Sequence, residues 1–226
     1  YADKSVTLML KGENSLTLTS VFGDGISVGG SLTIDGSGSL NITSTGNGIY
    51  VDDYDAKVAF GGSAKVTIDC GNNEGVNIQG YDVELEIKDH FQLTIGTEDK
   101  PIEEEGIYVY GEYTSSVTIT DNAQVSIVTS DEEAIYAGYY EDYSSITISG
   151  NTKINLIADE EALEAYDIYI SGGYIDVYYY YFTGANECGG NVMAFGDIYA
   201  SKNTTDREFV MGGVYTFGDG GILTEN

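Results

Sequence analysis

The sequence predicts an all-β protein, a right-handed parallel β-helix of about seven to eight coils with three strands each. One motif, a polar turn followed by an alternating apolar strand, returns every 23 to 31 residues: GDGISV (23–28), GNGIYV (46–51), NEGVNI (73–78), EEGIYV (104–109), EEAIYA (132–137) and EEALEA (160–165). A fixed motif at this spacing indicates a stacked repeat. Apolar residues alternate with polar ones inside each repeat, and a period of two is typical of strands.

The coils succeed one another through most of the chain, and we assign residues 1–226 to a single domain. Parallel crossovers are right-handed as a rule, which fixes the expected hand. A β-sandwich is the alternative, because closely spaced strands and turns also suggest one, but the regular return of the motif favours the solenoid. The predicted first, second and third strands of the seven coils are 5–10, 15–19, 26–28; 31–35, 39–43, 49–51; 57–60, 65–69, 76–78; 83–88, 91–95, 107–109; 116–120, 124–128, 135–137; 145–149, 153–157, 163–165; and 168–171, 174–178, 192–195.

The second strands show how the core is built. Each offers two apolar residues to the same face, in the aligned pairs Leu16/Leu18, Leu40/Ile42, Val66/Ile68, Leu93/Ile95, Val125/Ile127, Ile154/Leu156 and Ile175/Val177. Two inward residues are too few to fold a lone repeat, so the coils must stack to bury them as continuous columns. The segment 159–167 contains good helix formers, but its register predicts a turn and a third strand. An eighth, irregular coil is expected from Ile198 onward.

The composition limits the partners. Thirty-seven acidic residues against nine basic ones give a net charge of −28. Such a surface repels nucleic acid and anionic membranes, although divalent cations can still link it to an anionic glycan. No apolar run approaches the ~20 residues of a transmembrane helix. The opening Tyr1-Ala2-Asp3 is similar to Tyr50-Val51-Asp52, and we expect a fragment of a longer secreted protein.

Two cysteines, Cys70 and Cys188, fall in the third and seventh repeats. Four rungs of ~4.8 Å separate them by ~19 Å, whereas a disulfide needs Cα atoms within ~7 Å. We therefore predict two free thiols.

Acidic residues collect at the turn before the third strand. One predicted column holds Asp24, Asn47, Glu74, Glu105, Glu133 and Glu161. Of its two neighbouring columns, one holds Glu104, Glu132 and Glu160, and the other holds Glu103, Asp131 and Asp159. Carboxylates stacked ~5 Å apart repel each other unless they are neutralised. Calcium, which takes six to eight oxygen ligands, is the candidate cofactor, with Glu105, Glu133, Glu161, Asp131 and Asp159 as its expected ligands. The alternative is a solvated acidic edge that opposes aggregation.

Tyrosines lie along the third strands on their outward side. We expect a sugar-binding platform of exposed rings, formed by Tyr50, Tyr108, Tyr136, Tyr110 and Tyr139. Tyr54, Tyr113 and Tyr143 lie on the same predicted side. The alternative is that the rings stack from rung to rung and stabilise the sheet.

Signals for catalysis are weak. His90 and Arg207 are the single histidine and the single arginine, and we expect His90 to be a surface residue. Asp52-Asp53 is a paired carboxylate, but turns supply such pairs routinely. We find no nucleophile triad and no phosphate loop.

The segment Gly30-Ser31-Leu32-Thr33-Ile34-Asp35-Gly36-Ser37-Gly38-Ser39-Leu40-Asn41-Ile42, together with the later Gly48-Ile49-Tyr50, resembles the carbohydrate-binding β-helix proteins of clostridial and other gut Firmicute surfaces. The resemblance covers roughly residues 5–180. It implies a pectate-lyase-like fold, no catalysis, and calcium-assisted binding of acidic plant polysaccharide. The chain departs from that pattern where Ala134 and Ala162 replace the motif glycine.

The sequence as a whole leads us to expect an extracellular or cell-surface bacterial protein that binds plant or mucosal glycans without cleaving them. One alternative is a polysaccharide lyase or hydrolase of the pectate-lyase-like class. The other is a passive adhesin or stalk segment whose partner is a host or bacterial surface protein.

Overall fold

The computed structural model describes residues 4–18, 23–138, 143–159 and 162–171, and beyond these the backbone of the strands at 174–179, 191–194, 198–200, 214–217 and 223–225. The predicted parallel β-helix is confirmed. All named strands pair in parallel, and the described residues contain no helix. The segment around Leu163 is a strand, as its register predicts.

The strands stack in three columns, named here by the first, second and third strand of a turn. The first column contains β1 (Val6–Leu10), β4 (Leu32–Gly36), β7 (Lys57–Phe60), β9 (Val76–Ile87), β11 (Ile107–Ile119), β14 (Ser144–Ile148), β17 (Asp167–Ile170), β19 (Asn191–Ala194) and β21 (Val214–Phe217). The second contains β2 (Glu13–Thr17), β5 (Ser39–Thr43), β8 (Lys65–Asp69), β10 (Gln92–Ile95), β12 (Gln124–Val128), β15 (Lys153–Ala158), β18 (Tyr174–Tyr179), β20 (Ile198–Ala200) and β22 (Leu223–Glu225).

The third column is shorter. It contains β3 (Ile26–Val28), β6 (Ile49–Asp52), β13 (Ile135–Ala137) and β16 (Leu163–Ala165), together with the first halves of β9 and β11. About six turns therefore carry all three strands, against the seven to eight that the sequence predicts. The segment 192–195 is expected as the third strand of coil 7, but β19 pairs with β17 and belongs to the first column. Short alternating strands of the two columns look alike in sequence, and only the pairing separates them.

Two further differences concern register and continuity. β2 pairs with β5 so that Leu16 lies opposite Ile42, whereas the sequence pattern aligns Leu18 with it. In turns 3 and 4 the third strand runs on into the next first strand, so that β9 and β11 each turn a corner without a break. The core between the columns is a continuous file of buried Ile, Val and Leu side chains, with Phe60 stacked on Phe91 at 5.1 Å.

Cys70 is a free, buried thiol, as predicted, while Cys188 lies outside the described residues. Burial raises the pKa of the Cys70 thiol to about 12.

Candidate functional site

The acidic corner is the turn that precedes the third strand. Backbone hydrogen bonds from Gly75 N to Glu105 O (3.0 Å) and from Gly106 N to Glu133 O (3.1 Å) hold the acidic residues in the predicted column. The carboxylates of Glu105, Glu132 and Glu133 lie within 4.8 Å of one another. These three groups offer oxygen ligands at one point of the surface, which is the donor type that calcium prefers.

Burial and mutual repulsion shape the electrostatics of this corner. Burial, with the charges of Glu133, Glu74 and Glu132, raises the pKa of Glu105 from 4.5 to about 7. Burial and the charge of Glu74 also raise the pKa of Glu104. A bound cation or a bound proton therefore relieves the same repulsion.

The predicted calcium ligands are only partly brought together. Glu105 and Glu133 meet, and Glu132, which the expected ligand set omits, completes their cluster. Asp131 is exposed, and its charge, after burial, raises the pKa of Asp159. Glu161 lies outside the described residues. The acidic run at 131–133 is the sequence signal that points to Glu132.

The tyrosines of the third column form a stacked file. Strand pairing aligns Tyr50, Asn77, Tyr108 and Tyr136 in one outward column. The Tyr108 ring lies 5.1 Å from the Tyr136 ring at an interplanar angle of 9°, and 6.1 Å from the Tyr110 ring at 11°. Rung-to-rung stacking, one of the two expected roles, is thus present, and Asn77 separates Tyr50 from the rest. Tyr139 lies outside the described residues.

This stacking leaves the rings unequally available. Tyr108 and Tyr136 are each partly covered, and burial together with the charge of Glu105 raises the pKa of Tyr108 to about 12. Tyr110 stands two residues further along β11 and is 38 % exposed. Sugar rings bind to the open faces and edges of aromatic side chains, so Tyr110 is the member of the predicted platform best placed to contact a ligand.

A second tyrosine file runs along the corner between the third and first strands. Tyr81 stacks on Tyr54 at 4.8 Å and on Tyr113 at 5.4 Å, and Tyr113 contacts Tyr143 at 5.2 Å. A bulge creates this alignment, because the register shifts between Gly111 and Thr114 so that two residues of β11 oppose one of β9. Sequence reasoning missed Tyr81, although the Gly-Tyr pair at 80–81 matches Gly111 and Tyr113 once the bulge is allowed.

An open groove of about 330 Å³ lies between the two tyrosine files. Its lining consists of Asp52, Asp53, Tyr54, Gln79, Gly80, Tyr81, Tyr110 and Glu112. Asp52, Gln79 and Tyr110 are aligned by strand pairing and form one wall, while Tyr54 and Tyr81 form the other. The groove combines aromatic surface with carboxylate and amide groups, which is the composition of a small-ligand site.

Glycine occupies one tight backbone position in the lining of the groove and another at the bulge beside it. A Cβ atom at Gly80 would overlap the carbonyl oxygen of Asp53, and one at Gly111 would overlap that of Thr114. At Gly80 the backbones of successive turns approach so closely that a Cβ atom does not fit, and at Gly111 the bulge within β11 leaves equally little room. Burial in the ring stack, followed by smaller contributions from Tyr54 and Asp82, raises the pKa of Tyr81.

Comparison with known proteins gave no match: no protein-family model, no curated protein and no solved structure is similar to this chain. In the part of the chain that the structure describes, no helix has the length and apolar character needed to cross a bilayer.

Proposed function

We propose that this protein binds glycans without cleaving them, and that the groove between the two tyrosine files is the binding site. The groove itself carries the proposal, because it places the exposed Tyr110 beside Gln79 and carboxylates on a rigid stack of strands. Sugars present apolar ring faces and hydroxyl groups, and aromatic rings with amide and carboxylate partners complement both. A solenoid holds such groups in place at little entropic cost on binding.

The proposal extends to location, ligand and cation. We place the protein outside the cell or on a bacterial surface, with plant or mucosal polysaccharide as its ligand. Calcium at the acidic corner would act close to the platform, since the charge of Glu105 already reaches Tyr108. Its role there is to neutralise the repulsion among the carboxylates of the corner.

A glycan array with subsequent calorimetry on the strongest hit tests the proposal. Tyr110→Ala is expected to weaken binding about fivefold to tenfold, since an aromatic contact contributes on the order of 1 kcal/mol. Tyr143→Ala is the matched control, because Tyr143 is 61 % exposed at the far end of the second file and does not line the groove. Equal losses for both variants, or no array hit with and without chelator, would refute the proposal.

The second candidate is a polysaccharide lyase or hydrolase. It is favoured by one observation: Asp52, Asp53 and Glu112 line the groove, and glycoside hydrolysis uses paired carboxylates. Against it, His90 is exposed in the turn between the first and second strands, away from the groove. Release of shorter products from polysaccharide, lost in Asp53→Asn, would replace our choice. A passive adhesin or stalk is the third option, and it predicts no array hit at all.

A further inference from the structure

The charge of the groove is one-sided. Asp52, Asp53 and Glu112 supply three carboxylates, and none of the described residues that line it is a lysine, an arginine or a histidine. Lys57, three residues beyond Tyr54, pairs with Glu84 at 3.2 Å. A ligand that enters the groove therefore meets negative charge without a positive side chain to offset it.

The hydrogen-bonding capacity of the groove carboxylates also favours a cationic ligand. Ionised carboxylates only accept hydrogen bonds. Asp52 receives one long bond of 3.4 Å from the Tyr50 hydroxyl, and the backbone N–H of Asp53 donates to Gln79 O rather than into the groove. The three carboxylates therefore offer only acceptors, and a ligand group with several donors complements them.

The aromatic walls strengthen this preference. The face of a tyrosine ring carries partial negative charge, and a cation within about 6 Å of the ring centroid is attracted to it. Tyr81 is stacked on both faces, against Tyr54 and Tyr113, so within the described residues Tyr54 and Tyr110, each stacked on one other ring, are the tyrosines of the lining that retain a ring face. The carboxylates therefore favour a cation and disfavour an anionic sugar, and a free ring face of Tyr54 or Tyr110 adds to this preference.

We infer that the groove selects glycans bearing protonated amino groups, that is, de-N-acetylated amino sugars such as glucosamine oligomers. This inference rests on the proposed function and names its ligand class. An ammonium group brings three donors and a positive charge, while the sugar ring supplies the apolar face that Tyr110 can contact. The N-acetylated form of the same sugar keeps the ring but loses the charge.

The test is calorimetry with glucosamine oligomers and N-acetylglucosamine oligomers of the same length, at pH 5.5 and low salt. The amine form is expected to bind at least about tenfold more tightly, from one or two ion pairs and a cation–π contact of about 0.5–1 kcal/mol each. Glu112→Gln is expected to weaken its binding about threefold to fivefold. The matched control is Glu98→Gln, which removes the same charge from an exposed position in the turn at 97–100.

The outcomes separate the inference from the proposed function. Equal affinity for both oligomers, or tighter binding of an acidic glycan, overturns the inference and leaves glycan binding in place. Equal effects of Glu112→Gln and Glu98→Gln also overturn it, because they show general attraction to a chain of charge −28. If neither oligomer nor any array glycan binds, both ideas fail. Thermal unfolding of each variant by circular dichroism checks that the fold is retained.

Discussion

Gly106 occupies a position where the packing of successive turns leaves no room for a side chain. A Cβ atom there would overlap Ile127 Cγ2 and lie 2.6 Å from the carbonyl oxygen of Ala134. Gly25, Gly48 and Gly75 meet an isoleucine and a carbonyl of the next turn in the same way. Gly106→Ala must therefore push two turns apart, and we expect it to cost about 2–3 kcal/mol of unfolding free energy.

The next rung shows how the chain accommodates a methyl group. Ala134 takes the place of the glycine, and the residue in register with Ile127 is Leu156. Leucine is not branched at Cβ, so it has no Cγ2 methyl to meet the alanine. The backbone adjusts as well, because the hydrogen bond from Ile135 N to Ala162 O is 3.2 Å long, against 3.0 Å from Ile107 N to Ala134 O.

We therefore expect Ile127→Leu to rescue part of the loss caused by Gly106→Ala. Ile127→Leu alone conserves volume and is expected to cost less than about 1.5 kcal/mol. In the double variant the side-chain overlap is relieved and the carbonyl contact stays, so a coupling energy of about 1 kcal/mol is expected. Urea unfolding of the four proteins of this cycle, monitored by circular dichroism, measures it.

The control for this cycle is Gly61→Ala, whose Cβ would meet the Asp89 carboxylate oxygen at 3.1 Å and the Lys88 side chain at ordinary contact distance. The Asp89 oxygen accepts an exposed hydrogen bond from Gly62 N, so the carboxylate has to give by only a few tenths of an ångström and a loss below about 1 kcal/mol is expected. Additivity of Gly106→Ala and Ile127→Leu within about 0.3 kcal/mol would show that the isoleucine methyl is not the obstacle, and the reasoning would be wrong.

Four further predictions concern the site and the thiol. The pKa of Glu105 is raised to about 7 in the fold, so its stabilising effect is full below about pH 4.5 and is lost as the pH rises through 7. Unfolding free energy should fall by about 1–2 kcal/mol over that range, discounted for partial exposure, and Glu105→Gln should flatten the profile. Calcium at one hundred times its Kd should add about 2.7 kcal/mol of stability, which Glu105→Gln removes and Glu98→Gln does not; an unchanged melting temperature excludes the site. Tyr81→Ala should cost about 1–3 kcal/mol because it removes two ring contacts, and Tyr81→Phe should cost little. Cys70 should react with a thiol reagent at pH 8 on the order of a thousandfold more slowly in the native protein than in urea; similar rates would contradict its burial.

The columns of the solenoid could be predicted from the sequence over the six turns that carry the motif, because the motif and the alternation of apolar residues agree with each other there. The misplacement of Leu18 shows the limit of that signal. A shift by two residues keeps every apolar side chain on the same face, so alternation cannot distinguish Leu16 from Leu18 opposite Ile42. Contacts with the neighbouring turn set the register, and the apolar pattern of a single strand carries no information about those contacts.

The acidic corner could be predicted from the repeat period, whereas the groove could not. Glu105 and Glu133 occupy the same position of the repeating motif, so the repeat period alone predicts that they are neighbours, as the structure shows. Tyr81 and Tyr113 meet only because a bulge inserts one residue into β11, which breaks the count. A regular repeat predicts the neighbours of residues that keep the period, whereas a bulge creates neighbours that the period does not contain.

The groove and the fold depend on the same residue at Gly80. Turns 3 and 4 carry their third strand directly into the next first strand, and this brings Gly80 against the carbonyl oxygen of Asp53. The contact excludes a Cβ atom, and Gly80 lines the groove together with Tyr54, Tyr110 and the carboxylates. A side chain at Gly80 would therefore force the two turns apart. Ligand binding cannot be removed at this position without a loss of stability, and so the walls, above all Tyr110 and Glu112, are the places where binding can be changed on an intact solenoid.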